Sequence, residues 1–403
     1  MKRYILLILV VMLALVLVPA AAQDETPRQG IRPDAPPYAI RGPHAAGTMD
    51  FTIEPDSDRP IVTTIWYPAV MPEDMGGMEP EIIYTLFPAM PDLTAVGHAI
   101  LDAEQDTANG PYPLILVSHG SPGSRFVMPY LGEHLASHGF VVISMDHVGD
   151  TMMDKHDFQY AIYNRTLDVT RTIDAAEEFT TAGGVLAGMI DTEHVGMTGL
   201  SMGGVTSLLE GGAAFNLIQF DKICSKRPDA EEACKWTENI GDLATAAGLD
   251  SVPDGLWPAW ADPRIDAIMP LVPGPEVIGA EGAASVSVPT LLILGSNDTT
   301  VPTEFVGYPI WEGLGTDSKT LVDFVNGNHA FGVVSCASSP LLGELAWGWC
   351  SDPVWDMDRA HDLIDHFATA FFLSQLKGDT DAAAVLAPDA VNFVGIRYET
   401  TGY

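Results

Sequence analysis

After residue 110 the chain alternates short, continuous apolar runs with longer stretches of helical apolar spacing. Runs at 114–117, 141–144, 195–198, 265–272, 290–294 and 321–325 lack the polar alternation of a half-exposed strand. They predict strands buried on both faces. Helices are predicted between and after them, at 127–137, at 157–180, beyond residue 201, at 304–314 and at 356–376. Strands separated by helices give an α/β fold with a mostly parallel central sheet and helices on both faces. Upstream, the β-branched stretches 51–53 and 61–67 predict an opening antiparallel pair. Residues 71–110, with scattered Pro and Met, read as irregular. Residues 212–262 break the rhythm and end in Gly255-Leu256-Trp257-Pro258-Ala259-Trp260. They predict an insertion between two sheet strands, either a lid-like pocket wall or a surface excursion closed by a disulfide. Trp257 and Trp260 are its candidate pocket residues. The expected organisation is one domain over 48–403 containing the insertion 212–262, preceded by a Pro-, Gly- and Ala-rich leader at 23–47.

The N-terminus adds a compartment. Lys2-Arg3, an apolar run over 4–18 and Pro19-Ala20-Ala21-Ala22 have the layout of a secretory signal over 1–22, cut after Ala22. An uncleaved anchor is the competing reading, although the run is short for a full span. The expected location is secreted or periplasmic, with no stable membrane span after cleavage. Four cysteines remain, Cys224, Cys234, Cys336 and Cys350. Local pairing, Cys224 with Cys234 and Cys336 with Cys350, is the simplest of three connectivities, and export makes disulfides plausible. No C-x-x-C or clustered His accompanies them, which argues against a metal. The net charge of −35 at pH 7 disfavours nucleic acid and anionic lipid as partners.

The chemistry concentrates at Gly199-Leu200-Ser201-Met202-Gly203, between a predicted buried strand and a predicted helix. A sharp strand-to-helix turn of this kind exposes a strained Ser as a nucleophile. A Ser hydroxyl needs a base, and the base needs an orienting carboxylate. Asp298 follows the 290–294 run and His329 follows the 321–325 run, so both fall beyond strand ends. The chain order Ser201, Asp298, His329 is that of a strand-borne nucleophile elbow. Asp262 and Asp266 are weaker carboxylate rivals, and His361 and His366 are read as surface positions on the last helix. Oxyanion donors are expected at the amides of Met202 and of Ser121, in Ser118-His119-Gly120-Ser121-Pro122-Gly123. His119 reads as a residue packing under the nucleophile loop. Leu200 and His147 are candidate pocket residues, His147 with hydrogen bonding to a neighbouring loop as the alternative.

These blocks, with 135–142, 191–204, 288–302 and 326–331, resemble the dienelactone hydrolase-like branch of the α/β-hydrolase superfamily. They most resemble platelet-activating factor acetylhydrolases of the plasma type, with bacterial cutinase-like polyester hydrolases as near relatives. The resemblance implies a serine esterase acting without metal or organic cofactor on a small-molecule or lipid ester. Short acyl chains, including acetylated phospholipids, are the substrates it favours. A polyester or aryl-ester hydrolase is the second enzyme reading, and a non-catalytic hydrolase-fold binding protein is the reading from another class. Ser201 stands where dienelactone hydrolases carry Cys, Ser121 where polyester hydrolases usually carry an aromatic residue, and Leu200 where His or Trp is common.

Overall fold

The computed structural model describes residues 34–72, 79–156, 160–218, 220 and 239–403. The signal sequence expected over 1–22 and the cysteines Cys224 and Cys234 lie outside the described residues.

The strands are β1 (Ala45–Ile53), β2 (Ile61–Ala69), β3 (Ile82–Phe87), β4 (Met90–Gly97), β5 (Ile100–Leu101), β6 (Tyr112–Ser118), β7 (Val141–Met145), β8 (Ile190–Leu200), β9 (Ile265–Leu271), β10 (Thr290–Gly295), β11 (Lys319–Phe324) and β12 (Ile396–Thr400). The helices are α1 (Pro129–Ser137), α2 (Ala161–Phe179), α3 (Met202–Glu210), α4 (Ile240–Ala246), α5 (Gly279–Ala283), α6 (Gly307–Gly313), α7 (Pro340–Ala346), α8 (Met357–Lys377) and α9 (Thr380–Ala384). Among the described residues the main sheet runs β12-β11-β10-β9-β8-β6-β7-β2-β1-β5. From β11 through β7 every pairing is parallel. The pairings of β7 with β2, β2 with β1, and β11 with β12 are antiparallel.

The continuous apolar runs explain this centre. Every residue of β6, β7 and β10 is buried, so both faces must be covered, and helices cover them. One core face packs Ile162, Val169 and Ile173 of α2 with Val205 and Leu208 of α3. The other packs Leu131 and Leu135 of α1 with Leu363, Phe367 and Phe371 of α8. Helix α8 begins where the Asp356 side chain accepts the Arg359 amide, and ends at Gly378 with φ 64°.

Three readings of the sequence change. The first strand begins at Ala45, within the stretch read as leader. Residues 71–110 are not irregular throughout, because β3 and β4 form a two-stranded ribbon. Its inward residue Tyr84 accepts a hydrogen bond from Trp66 Nε1 at 2.8 Å and donates one to Glu133 at 2.7 Å. The ribbon is thereby fastened to β2 and α1. Finally, His361 and His366 are buried, not surface, residues of α8. His361 stacks on Tyr130 with ring centroids 3.7 Å apart.

Candidate active site

The loops after β6, β8, β10 and β11 leave the carboxyl ends of adjacent parallel strands, where open α/β sheets place their ligands. Ser201 sits between β8 and α3 with φ 58° and ψ −116°, outside the ordinary range for an L-residue. Backbone bonds hold it there. Its amide donates to Leu271 O at 2.9 Å, and its carbonyl accepts from Val205 and Gly274. The glycines of the motif answer to close approach. A Cβ on Gly203 would lie 1.9 Å from Ser118 O, and one on Gly199 would lie 2.5 Å from the Gly203 carbonyl. No side chain fits at either place, so β6, β8 and α3 can converge only with glycine there.

Asp298 is buried after β10. Its Oδ1 accepts the amides of Thr300 and Val301 at 2.9 and 2.7 Å. Its Oδ2 lies 2.6 Å from His329 Nδ1. With Nδ1–H donating to the carboxylate, Nε2 is left as the acceptor a general base requires. Asn328 ties the two loops together, since its side-chain oxygen accepts the amides of Thr299 and His329. Ser201 and His329 line one cavity of about 290 Å³, together with Ser121 and Leu200. The described hydrogen bonds do not include one between Ser201 and His329, and such bonds often tighten only with substrate bound. The rival carboxylates are engaged elsewhere: Asp262 holds Arg264, and Asp266 accepts the Val195 amide.

Ser121 N–H has no partner among the described hydrogen bonds. Met202 N–H lies in the first turn of α3, where backbone donors lack an intrahelical acceptor. The loop carrying Ser121 rests on a buried polar array. Arg165, in the N-terminal part of α2, donates to the carbonyls of His119 at 2.5 Å and Gly120 at 3.3 Å. It also pairs with Asp150 at 2.8 Å, and Asp150 accepts the Ser121 hydroxyl at 2.5 Å. The array continues below: His147 Nε2 lies 2.8 Å from Ser118 Oγ and His147 Nδ1 lies 3.2 Å from Asp168. His119 Nδ1 lies 2.6 Å from Gly120 O, while its Nε2 accepts the His147 amide. Burial, and then the positive Arg165 nearby, hold both imidazoles far below their usual pKa, so they stay neutral.

Of the expected pocket residues, Trp257 and Trp260 are corrected, and His147 follows its alternative reading of hydrogen bonding to a neighbouring loop. His147 is fully enclosed in that array instead of facing the cavity. Trp257 is buried edge-to-face on Phe215 at 5.0 Å, and Trp260 packs on Phe215 and Tyr163. Trp257 therefore belongs to the core around α2 and half-buried Trp260 packs against it, because large apolar rings gain more from closed packing than from a wet cleft. The cavity walls come from elsewhere. Leu86 and Phe87 of the ribbon, Phe126 and Val127 after β6, and Leu342 and Trp349 supply its apolar faces. Leu342 and Trp349 belong to the segment closed by the disulfide between Cys336 and Cys350. Pairing of those two cysteines follows the simplest connectivity.

Comparisons with known proteins find esterases similar in sequence and in fold. The PET hydrolase-like family matches residues 103–223. The chain is 26% identical over 222 residues to cutinase est1 of Thermobifida alba, covering 55% of this chain and 54% of the cutinase. It is thus matched over about half the length of that relative. It is 23% identical over 272 residues to a bis(hydroxyethyl) terephthalate hydrolase of Streptomyces coelicolor, covering 68% of this chain and 67% of the hydrolase. A ferulic acid esterase from Streptomyces cinnamoneus superposes with a TM-score of 0.55 at 20% identity, over 85% of this chain and 92% of the esterase, a likeness of fold. The chain has the α/β-hydrolase fold and is related to the cutinase-like polyester hydrolases.

Proposed function

We propose that the protein is a serine carboxylic ester hydrolase acting on uncharged polyester or aryl esters. One observation carries this reading. A Ser held in strained backbone geometry shares an apolar cavity with a His whose other ring nitrogen is fixed by a buried Asp. His329 Nε2 takes the Ser201 proton as Oγ attacks the ester carbonyl. The amides of Ser121 and Met202 face the developing oxyanion. Collapse of the tetrahedral intermediate breaks the bond to the alcohol oxygen, which leaves with the proton from His329. Water, deprotonated by the same imidazole, then attacks the acyl-enzyme and releases the acid and Ser201.

The relatives favour the polyester or aryl-ester reading over the acetylhydrolase one. The cavity gives that choice a physical basis. Ser121 offers no aromatic clamp beside the oxyanion position, yet Phe87, Phe126 and Trp349 surround the same space. Export through the N-terminal signal belongs to this proposal, and the Cys336–Cys350 disulfide supports an oxidising compartment.

A fluorophosphonate probe tests the nucleophile. Ser201 Oγ forms the bond to phosphorus, fluoride leaves, and the proton passes to His329. Wild type takes the label and Ser201→Ala takes none; equal labelling of the two moves the nucleophile elsewhere. Hydrolysis of bis(hydroxyethyl) terephthalate set against an acetylated phospholipid tests the substrate class. A clear preference for the phospholipid reverses the order of the two esterase readings.

A further inference from the structure

The segment closed by the Cys336–Cys350 disulfide exposes large apolar side chains where nothing in the fold requires them. Trp347 is 59% exposed, Trp349 54% and Leu345 69%. Among the described residues neither indole stacks on another ring, although their backbone is fixed. Trp347 O accepts the Cys350 amide at 3.2 Å and the Ser351 hydroxyl at 2.6 Å, and Cys336 N–H donates to Cys350 O at 2.8 Å. Exposed aromatic rings on a fixed backbone beside a cleft mark recognition more often than packing.

The two rings line different concavities that meet along Thr300, His329, Ala330 and Gly348. Trp349 lines the cavity that holds Ser201 and Ser121. Trp347 lines a second concavity of about 200 Å³, with Thr300, Asn328, Ser351 and Pro353. His329 borders both, while Ser201 and Ser121 border only the first. This division matches the two halves of an ester. The acyl carbon must sit against the nucleophile and the oxyanion donors. The alcohol must depart beside the imidazole that protonates it. We propose that the Trp347 concavity is the leaving-group subsite, built for an extended alcohol portion carrying a flat apolar ring, with the Trp349 cavity holding the acyl half. This inference rests on the esterase reading and assigns its substrate class: esters with an uncharged, extended group on both sides of the scissile bond. The large negative charge of the chain agrees with an uncharged ligand.

The test compares 2-phenylethyl and ethyl esters of one aromatic acid, so that only the alcohol differs. In Trp347→Ala the ratio of kcat/KM for the 2-phenylethyl over the ethyl ester falls by about five- to tenfold, the scale of a lost aromatic contact. Trp347→Phe retains most of the wild-type ratio. An unchanged ratio in Trp347→Ala overturns the subsite. A readout without turnover separates this from the esterase reading itself. In Ser201→Ala the intact 2-phenylethyl ester shifts the indole N–H resonance of Trp347, assigned by its loss in Trp347→Phe. A shift without wild-type hydrolysis keeps the subsite and removes the esterase, and absence of the shift at saturating ester removes the subsite whatever the activity.

Discussion

Arg165 is the residue on which the proposed oxyanion side of the site depends most. It is the fifth residue of a 19-residue helix, where an Arg ordinarily belongs to a solvated face. Here it is fully buried. Its guanidinium spans the His119 and Gly120 carbonyls and Asp150 at once. A Lys amine has one nitrogen and cannot reproduce that fork. Arg165→Lys should therefore keep substrate affinity and lose transition-state stabilisation. We expect kcat to fall by about 10- to 100-fold, with KM within about threefold of wild type, because the Ser121 amide drifts from the oxyanion. Steady-state kinetics alongside a thermal melt decide it: a lower Tm with kcat intact reduces Arg165 to a fold-stabilising role. The same residue shows where reading the sequence stops. Ser201, Asp298 and His329 are legible because each follows an apolar run in a loop rich in Gly, Asn or Ser. Arg165, Asp150 and Asp168 have no such local signature. Most of the contacts that join them are long-range, 15 positions for Arg165 with Asp150 and 109 for Arg59 with Asp168, and only the folded chain brings those charges together.

Elements follow the same rule. The six parallel strands at the centre were legible because burial on both faces demands continuous apolar runs. Strands at the margins are half exposed and carry weaker patterns. In β12 the residues Ile396, Tyr398 and Thr400 alternate with Arg397 and Glu399 over only five positions. In the ribbon, alternation at Ile82–Phe87 is followed by Pro91 and polar residues. The stretch before β1 is held by two buried histidines, of which His366 was expected at a surface. His366 Nδ1 accepts the Tyr38 amide at 3.3 Å, and His134 Nε2 lies 2.7 Å from Tyr38 O. Burial, and then the positive Arg359, push His366 down to about 4. Released from its site it would titrate near 6.5. Docking of Tyr38 therefore favours the neutral ring. Its strength is complete above pH 6.5, declines as pH falls from 6.5 to about 4, and has lost the His366 contribution below that. Burial lowers His134 and His138 in the same direction. Amide hydrogen exchange should show the protection factor at Tyr38 dropping across that window, with a shallower drop in His366→Asn. A protection factor that stays constant from pH 6.5 to 4 would mean that the segment is held by other contacts.

At the scale of the whole molecule the dominant fact is charge. Acidic residues number 54 against 19 Lys and Arg. Much of that small positive complement is spent in local pairs: Arg41 with Glu133, Arg165 with Asp150, Arg264 with Asp262 and Arg397 with Asp323. Carboxylates still far outnumber the available cations, and their mutual repulsion opposes the compact state. Salt acts on the two populations unequally. Surface repulsion is screened within a Debye length of about 10 Å at 0.1 M, whereas buried pairs such as that of Arg165 are screened far less. Added NaCl should therefore stabilise the fold at pH 7. We expect Tm to rise by about 2–4 °C between roughly 10 mM and 500 mM NaCl, the equivalent of about 1–2 kcal/mol. Acid supplies the control. Near the isoelectric point of about 4.3 the net charge vanishes, so the same salt step should give little or no rise, even though buried histidines lower the absolute Tm there. Melting curves over that grid of salt and pH distinguish charge screening from ion-specific effects, because an increment that persists at the isoelectric point cannot come from the relief of net repulsion.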